Sequence, residues 1–234
     1  MVKTQSSFLE FLRHVASGQI DQVLRGLKAN PSFATIASDV GATRREASRY
    51  FLSEIGHYVY AGDTALHMAA AGARLAVAEL LVGRGADCRA QNRRGAQPLH
   101  YAADASHSDP SQQAEMIRYL LSLGADPNAL NVDGVSPLHK AVRTRSCTAV
   151  QAMLDGGADP RAPNKSGSTP LHLAVQPTGR GGSGSQRARQ QQAEIIKLLL
   201  HRGARVSDKD GNGRRVDHAA KSEWIHRLIQ QAKD

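Results

Sequence analysis

The chain has little of what a large aromatic core, a disulfide framework or a membrane span would need. Aromatic residues make up 4% of it, with a single Trp, against 41% hydrophobic residues in all. A core of Ala, Leu, Val and Ile, in which thin helices approach closely, is the expected alternative. Cysteine occurs twice, at Cys88 and Cys147, with no CxxC spacing; the two read as small buried thiols and not as zinc ligands. Nowhere do ~18 uncharged apolar residues run together, the length a spanning helix requires. The opening residues Met1 to Ser7 are polar and Glu10 interrupts the apolar residues behind them, so no secretory apolar region is present. A soluble, cytoplasmic product without membrane association is expected.

Catalytic patterns are also missing. No Ser-His-Asp order, H-E-x-x-H helix, zinc cysteine set or catalytic carboxylate pair assembles without arbitrary choice. The run Gly179-Arg180-Gly181-Gly182-Ser183-Gly184-Ser185 lacks the Lys-Ser or Lys-Thr ending of a phosphate loop and follows no buried strand. It reads as a flexible loop, or, with Arg180, Arg187 and Arg189, as a nest for an anion or carboxylate. No catalytic residue, metal ligand or cofactor is expected.

What the chain does have is positive charge and a period. Lys and Arg number 30 against 21 Asp and Glu, a formal charge of +9 with a pI near 9.9. That balance favours acidic partners and permits weak, nonspecific nucleic-acid binding; charge alone does not choose between them. Two landmarks recur. Gly85-Ala86-Asp87, Gly124-Ala125-Asp126, Gly157-Ala158-Asp159 and Gly203-Ala204-Arg205 form one. Thr64-Ala65-Leu66-His67, Gln97-Pro98-Leu99-His100, Ser136-Pro137-Leu138-His139 and Thr169-Pro170-Leu171-His172 form the other. They lie 21 residues apart in the units from Thr64 and Ser136, and the uninterrupted period, Gly124 to Gly157, is 33.

This grammar, a turn and two helices per unit, resembles the ankyrin repeat. The resemblance implies an all-α repeat solenoid of helix-turn-helix units with hairpin-like finger loops, read here as one domain over residues 1–234. Residues 1–33 read as an N-terminal capping helix pair: Phe8 to Gly18 carries the stripe Phe8, Leu9, Phe11, Leu12 and Val15, and Gln19 to Ala29 carries Ile20, Val23, Leu24 and Leu27. Residues 34–60 read as an insertion, with a capping box Thr43-Arg44-Arg45-Glu46, a helix from Arg44 to about Ile55, and an extended arm His57-Tyr58-Val59-Tyr60. Repeats follow at 61–90, 91–129, 130–162 and 163–208. Residues 209–234 read as a C-terminal cap with the stripe Trp224, Ile225, Leu228 and Ile229. Relative to the 21-residue spacing, the repeat from Gln97 carries six extra residues around Ser106 to Ser111 and the repeat from Thr169 carries 13 more, around Thr178 to Ser185. Both excesses fall between inner and outer helices.

The resemblance assigns the four recurring histidines to structure: each sits three residues after a helix-start residue, within reach of it and of a neighbouring loop. Gln97 departs from the hydroxyl pattern and should start its helix more weakly. The landmark glycines end the outer helices, where a left-handed residue is needed. The resemblance also implies a noncatalytic protein-interaction module whose finger tips and inner helices line a concave groove. Carried over by position, the finger candidates are Arg93, Arg94, Val132, Asp133, Lys165 and Ser166, with Arg214 at the cap. The inner-helix candidates are Ala71, Asp104, Lys140, Arg143, Thr144 and Gln176. Cations predominate among them, so a partner protein with an acidic surface is expected. Nucleic acid or an anionic ligand on the basic face and the Gly/Ser/Arg loop is the alternative, disfavoured by the scarcity of aromatic residues for base stacking. The two insertions, with Arg180 in the second, are expected to bracket Lys140, Arg143 and Arg145.

Overall fold

The computed structural model describes residues 2–43, 45–105, 109–177 and 185–231, with side chains from residue 7 onward. Ser106 to Ser108, Thr178 to Gly184 and therefore the candidate Arg180 lie outside the described residues. The chain divides into two compact units, Met1–Asp126 and Pro127–Asp234.

The N-terminal unit stacks three helix pairs. These are α1 (Val2–Ser17) with α2 (Ile20–Ala29), α3 (Ala65–Ala71) with α4 (Leu75–Val82), and α5 (Pro98–Asp104) with α6 (Pro110–Ser122). Inner helices pack on inner helices, α1 on α3 and α3 on α5; outer ones do the same, α2 on α4 and α4 on α6. The first stripe is buried as expected at Phe8, Phe11, Leu12 and Val15, and Phe8, Phe11 and Phe33 bring their rings together with centroids 5.1–6.2 Å apart. The second is half as deep: Val23 and Leu27 are buried, while Ile20 and Leu24 face solvent.

The C-terminal unit pairs α7 (Pro137–Thr144) with α8 (Cys147–Asp155) and α9 (Pro170–Ala174) with α10 (Gln186–His201). It closes on α11 (Val216–Ala219), packed on α9, and α12 (Glu223–Gln231). Ile225 and Ile229 of the last stripe are buried; Trp224 is half-buried.

Each repeat is held by three local devices. Gly85, Gly124, Gly157 and Gly203 all take positive φ, between 83° and 97°, and end the outer helices. An Asn or Asp three residues before each finger glycine folds the finger: Asn92 Oδ1 accepts from the amides of Arg94 and Ala96, Asn131 from Asp133 and Val135, Asn164 from Ser166 and Ser168, and Asp210 from Asn212 and Arg214, all at 2.9–3.0 Å. The recurring histidine is the third. His67, His139 and His172 each accept the amide of the helix-start residue on Nδ1 (3.1–3.3 Å), so Nε2 carries the proton and donates to a carbonyl of the next finger, Ala96, Ser168 and Arg214 respectively, at 3.0–3.2 Å. His100 likewise takes the Gln97 amide at 3.1 Å, but Gln97 Oε1 is buried without a hydrogen-bond partner. The reciprocal cap between Gln97 and His100 is nonetheless in place, as in the other three repeats.

Successive fingers then pass so closely that only glycine fits. A Cβ on Gly167, at φ +72°, would lie 2.3 Å from the Gly211 amide nitrogen, where Gly211 N–H donates to Ser166 O at 2.8 Å.

The insertion differs from its sequence reading. No α-helix follows Thr43: the Thr43 hydroxyl does accept the Glu46 amide, at 3.3 Å, but the chain continues as a 3-10 turn, Ala47–Tyr50, and a hairpin of β1 (Phe51–Leu52) and β2 (His57–Tyr58). The reason is the burial demanded of these side chains. Tyr50 and Leu52 are buried while Phe51 between them is exposed, a period of two that a strand supplies and a helix does not. Gly56, at φ 59°, makes the reversal, and His57 to Tyr60 form the extended arm that was expected.

The two longer repeats lengthen their outer helices. α6 and α10 have 13 and 16 residues, against 8 and 9 for α4 and α8. In each long helix a buried glutamine, 11 residues before the landmark glycine, reaches the carbonyls at the end of its inner helix. Gln113 Nε2 donates to Ala102 O at 2.9 Å, and Gln192 Nε2 donates to Ala174 O and Gln176 O at 2.6 and 2.7 Å. The compact repeats end their inner helices instead with a left-handed residue, Ala73 (φ 51°) or Arg145 (φ 59°).

Candidate functional site

The seventh residue after the helix start is the inner-helix position that the resemblance marks for a partner: Ala71, Asp104, Arg143 and Gln176. The structure treats the four differently. Arg143 is exposed, Asp104 and Gln176 are half-buried, and Ala71 is buried at 4% exposure. Ala71 is therefore not an exposed position, and the insertion lies against it. Ile55 lies so near the end of α3 that a Cβ on Gly72 would sit 2.9 Å from Ile55 Cγ2. All seven residues of α3 are buried, and so is every residue of α5 except Asp104. The residue after each histidine follows the same division: Met68 and Tyr101 are buried, Lys140 and Leu173 half-buried.

Beneath the insertion lies a polar network that the sequence reading missed. Asp63 is fully buried and accepts from three donors: the Tyr60 amide (2.7 Å), Asn92 Nδ2 (2.8 Å) and the Tyr101 hydroxyl (2.8 and 3.0 Å to its two oxygens). Burial, together with the Asp63 charge, pushes the Tyr101 hydroxyl well above the usual tyrosine range, so it stays a donor. The rings of His57 and His67 close around Tyr101, with centroids at 4.7 and 5.0 Å. The readable signal was an Asp in place of a neutral residue just before a helix start, with a Tyr one repeat later.

In the C-terminal unit the inner helix α7 carries exposed Arg143 between half-buried Lys140 and Thr144. Thr144 spends its hydroxyl on its own helix, donating to Ala141 O at 3.1 Å. Gln176 donates its side-chain Nε2 to His172 O at 3.0 Å, and its backbone carbonyl accepts from Gln192 Nε2. Both are structural first. Arg145 turns away from solvent: its guanidinium points at the carbonyls of Gln176 and Pro177, 3.4 Å each, and burial lowers its pKa. Among the finger candidates Arg93, Arg94, Lys165 and Ser166 are exposed, and Val132 is 48% exposed. The backbone amides of Arg93 and Lys165 tie neighbouring fingers together, donating to Ala61 O and Asp133 O, so their side chains project from fixed points. Arg214 is paired with Asp210 at 3.2 Å.

The chain's positive charge is not evenly spread. Residues 1–126 hold 13 Lys and Arg against 12 Asp and Glu, a net +1; residues 127–234 hold 17 against 9, a net +8. Arginines of the second unit are paired in place, among them Arg161 with Asp208, Arg202 with Asp155, Arg214 with Asp210, Arg215 with Asp217 and Arg227 with Glu223. The Arg161–Asp208 pair is bidentate at 3.1 and 2.7 Å and holds the Asp208 carboxyl below its usual range.

Cys88 and Cys147 are half-buried, less enclosed than expected; burial is the main cause that raises both thiol pKa values, which keeps them protonated. Among the described residues, no helix is long and apolar enough to cross a membrane.

A family model described as ankyrin repeats in three copies matches residues 36–131 and 110–210. No curated protein matches the chain. The finger turns, the capping histidines and the paired inner and outer helices agree with that match, and the chain belongs to the ankyrin-repeat family, an all-α repeat-solenoid class whose members are generally noncatalytic protein-interaction modules.

Proposed function

We propose that this protein is a noncatalytic recognition module that binds an acidic segment or surface of a partner protein through the basic inner face of its C-terminal unit. The observation that carries the reading is the coincidence of charge and access. The unit with net +8 is the one whose inner helix presents exposed Arg143 and half-buried Lys140, while in the near-neutral unit α3 is buried throughout and α5 is buried but for half-buried Asp104. Lys165 and the exposed apolar Val132, on adjacent fingers of the same unit, extend the contact. Arginine suits bidentate contacts to carboxylate, and charge of one sign on a preformed surface mainly speeds encounter and fixes partner choice.

The test is affinity capture from the native cell with the wild type and with the Lys140→Glu/Arg143→Glu double variant. Neither side chain belongs to the buried apolar face of α7, and circular dichroism of the variant checks that the fold is retained. A protein held by the wild type should be lost by the variant, with affinity down at least about tenfold for two reversed charges. Retention of the same proteins by both would contradict the reading. Capture that collapses with salt for unrelated nucleic-acid sequences would point to the nucleic-acid alternative instead.

A further inference from the structure

The insertion reaches all three inner helices of the N-terminal unit. On α1, Arg13 donates to the carbonyls of Arg49 (3.2 Å) and Phe51 (3.5 Å), fixing the start of the hairpin. On α3, Ile55 closes over Ala71 and Gly72, and those three line one small cavity of about 110 Å³. On α5, the His57 ring lies against Tyr101. The inward side chains are Tyr50, Leu52, Ile55 and Val59, each 5% exposed or less. Ile55 lies beside the small residues Ala71 and Gly72 at the end of α3. The opposite side of the hairpin carries Phe51 and Tyr58, directly paired across the strands with ring centroids 4.9 Å apart and both 36% exposed.

We infer that residues 45–60 act in cis as the ligand of the N-terminal unit's inner-helix face, occupying with an apolar hairpin the place a partner would take, so that α3 offers partners no contact and α5 only the half-buried Asp104. Four apolar side chains placed in this way make the hairpin a resident part of the unit and not a displaceable lid. The two inner faces thus differ in kind: one is apolar and filled from within, the other basic and open. The division stands whether or not the proposed acidic partner does, because it is tested on the protein alone.

In a Cys88→Ser/Cys147→Ser background, Ala71→Cys and Arg143→Cys place thiols at equivalent inner-helix positions of the two units. With a maleimide reagent, the thiol at 71 should react at least about 100-fold more slowly than that at 143, since it is reached only through local opening. Adding Ile55→Ala should speed labelling at 71 and leave 143 unchanged. Rates at the two positions within about threefold, a factor ordinary solvent-exposed sites differ by, would overturn the inference. So would slow labelling at 71 that Ile55→Ala does not touch, because the protection would then not come from the hairpin. In the protein without substitutions, tyrosine nitration mapped by mass spectrometry should modify Tyr58 and spare Tyr50 and Tyr101; equal modification of Tyr58 and Tyr101 would overturn it as well.

Discussion

Asp63→Ala is expected to destabilise the N-terminal unit by about 3 kcal/mol, the cost of leaving buried donors without an acceptor. The substitution removes the shared acceptor of the Tyr60 amide, the Asn92 side chain and the Tyr101 hydroxyl, the last two on buried residues. These donors come from the insertion, a finger and an inner helix, so the loss is cooperative and loosens the hairpin along with the repeat. Tyr101→Phe removes one donor to a carboxylate that keeps two others, and should cost about 1.5–2 kcal/mol. Denaturant unfolding followed by segment-resolved hydrogen exchange separates this unit from its neighbour, which a single transition midpoint would not. An Asp63→Ala protein within about 0.5 kcal/mol of wild type, the spread of neutral surface changes, would show that the network is ornamental.

The second large effect is acid sensitivity at mild pH. Burial lowers the pKa of His67 and of His139 below the ordinary value of 6.5, and each uses Nδ1 as the acceptor of its helix-start amide. The unfolded chain therefore binds more protons than the native one below pH 6.5, and stability falls as pH falls. The contribution is complete above 6.5 and is lost progressively on descent towards the folded values, at up to about 1.4 kcal/mol per pH unit for each histidine. Carboxylates held below their ordinary 3.8, such as Asp208 and Asp210, lose their contributions only below about pH 4, so the two windows are distinct. Unfolding free energies measured from pH 7.5 to 5 should decline, and His67→Gln/His139→Gln, though less stable at pH 7.5, should flatten the decline. A flat profile in the wild type would mean that the histidines are not held neutral.

The repeat architecture was legible because its residues have one purpose each. A glycine at positive φ, a histidine three residues into a helix and a Pro-Leu pair just before it each answer a single backbone need, and recurrence at 33 residues ties those needs to one unit. The Asn or Asp three residues before each finger glycine recurs as regularly and was equally readable. The insertion was not legible to the same depth. Its Arg-Glu-Ala-Ser-Arg composition and its capping Thr43 are compatible with a helix, and the alternation of Tyr50, Phe51 and Leu52 is decided by what they pack against: α1, α3 and α5 lie far along the chain, so tertiary burial overrode local preference.

The site was read at the level of position, not of access. Equivalence within the repeat gave Ala71, Asp104, Arg143 and Gln176 the same place in their units: the first three fall in the last turn of an inner helix, and Gln176 follows the end of α9. It could not say that a hairpin covers the first, or that Gln176 and Thr144 are spent on their own segments. Nor does formal charge over a whole chain disclose its distribution. The +9 is almost entirely a property of residues 127–234, and it is this separation, set beside the covered face, that moves the expected contact to Lys140, Arg143 and Lys165.

The central claim is that recognition uses the basic inner face of the C-terminal unit while the inner face of the N-terminal unit is closed. Amide hydrogen exchange with and without the captured partner tests it most directly. The account predicts new protection on binding at residues 137–144 and 164–167, and no change at residues 65–71, which are already protected in the unbound protein. New protection at 65–71 with 137–144 unchanged would contradict it.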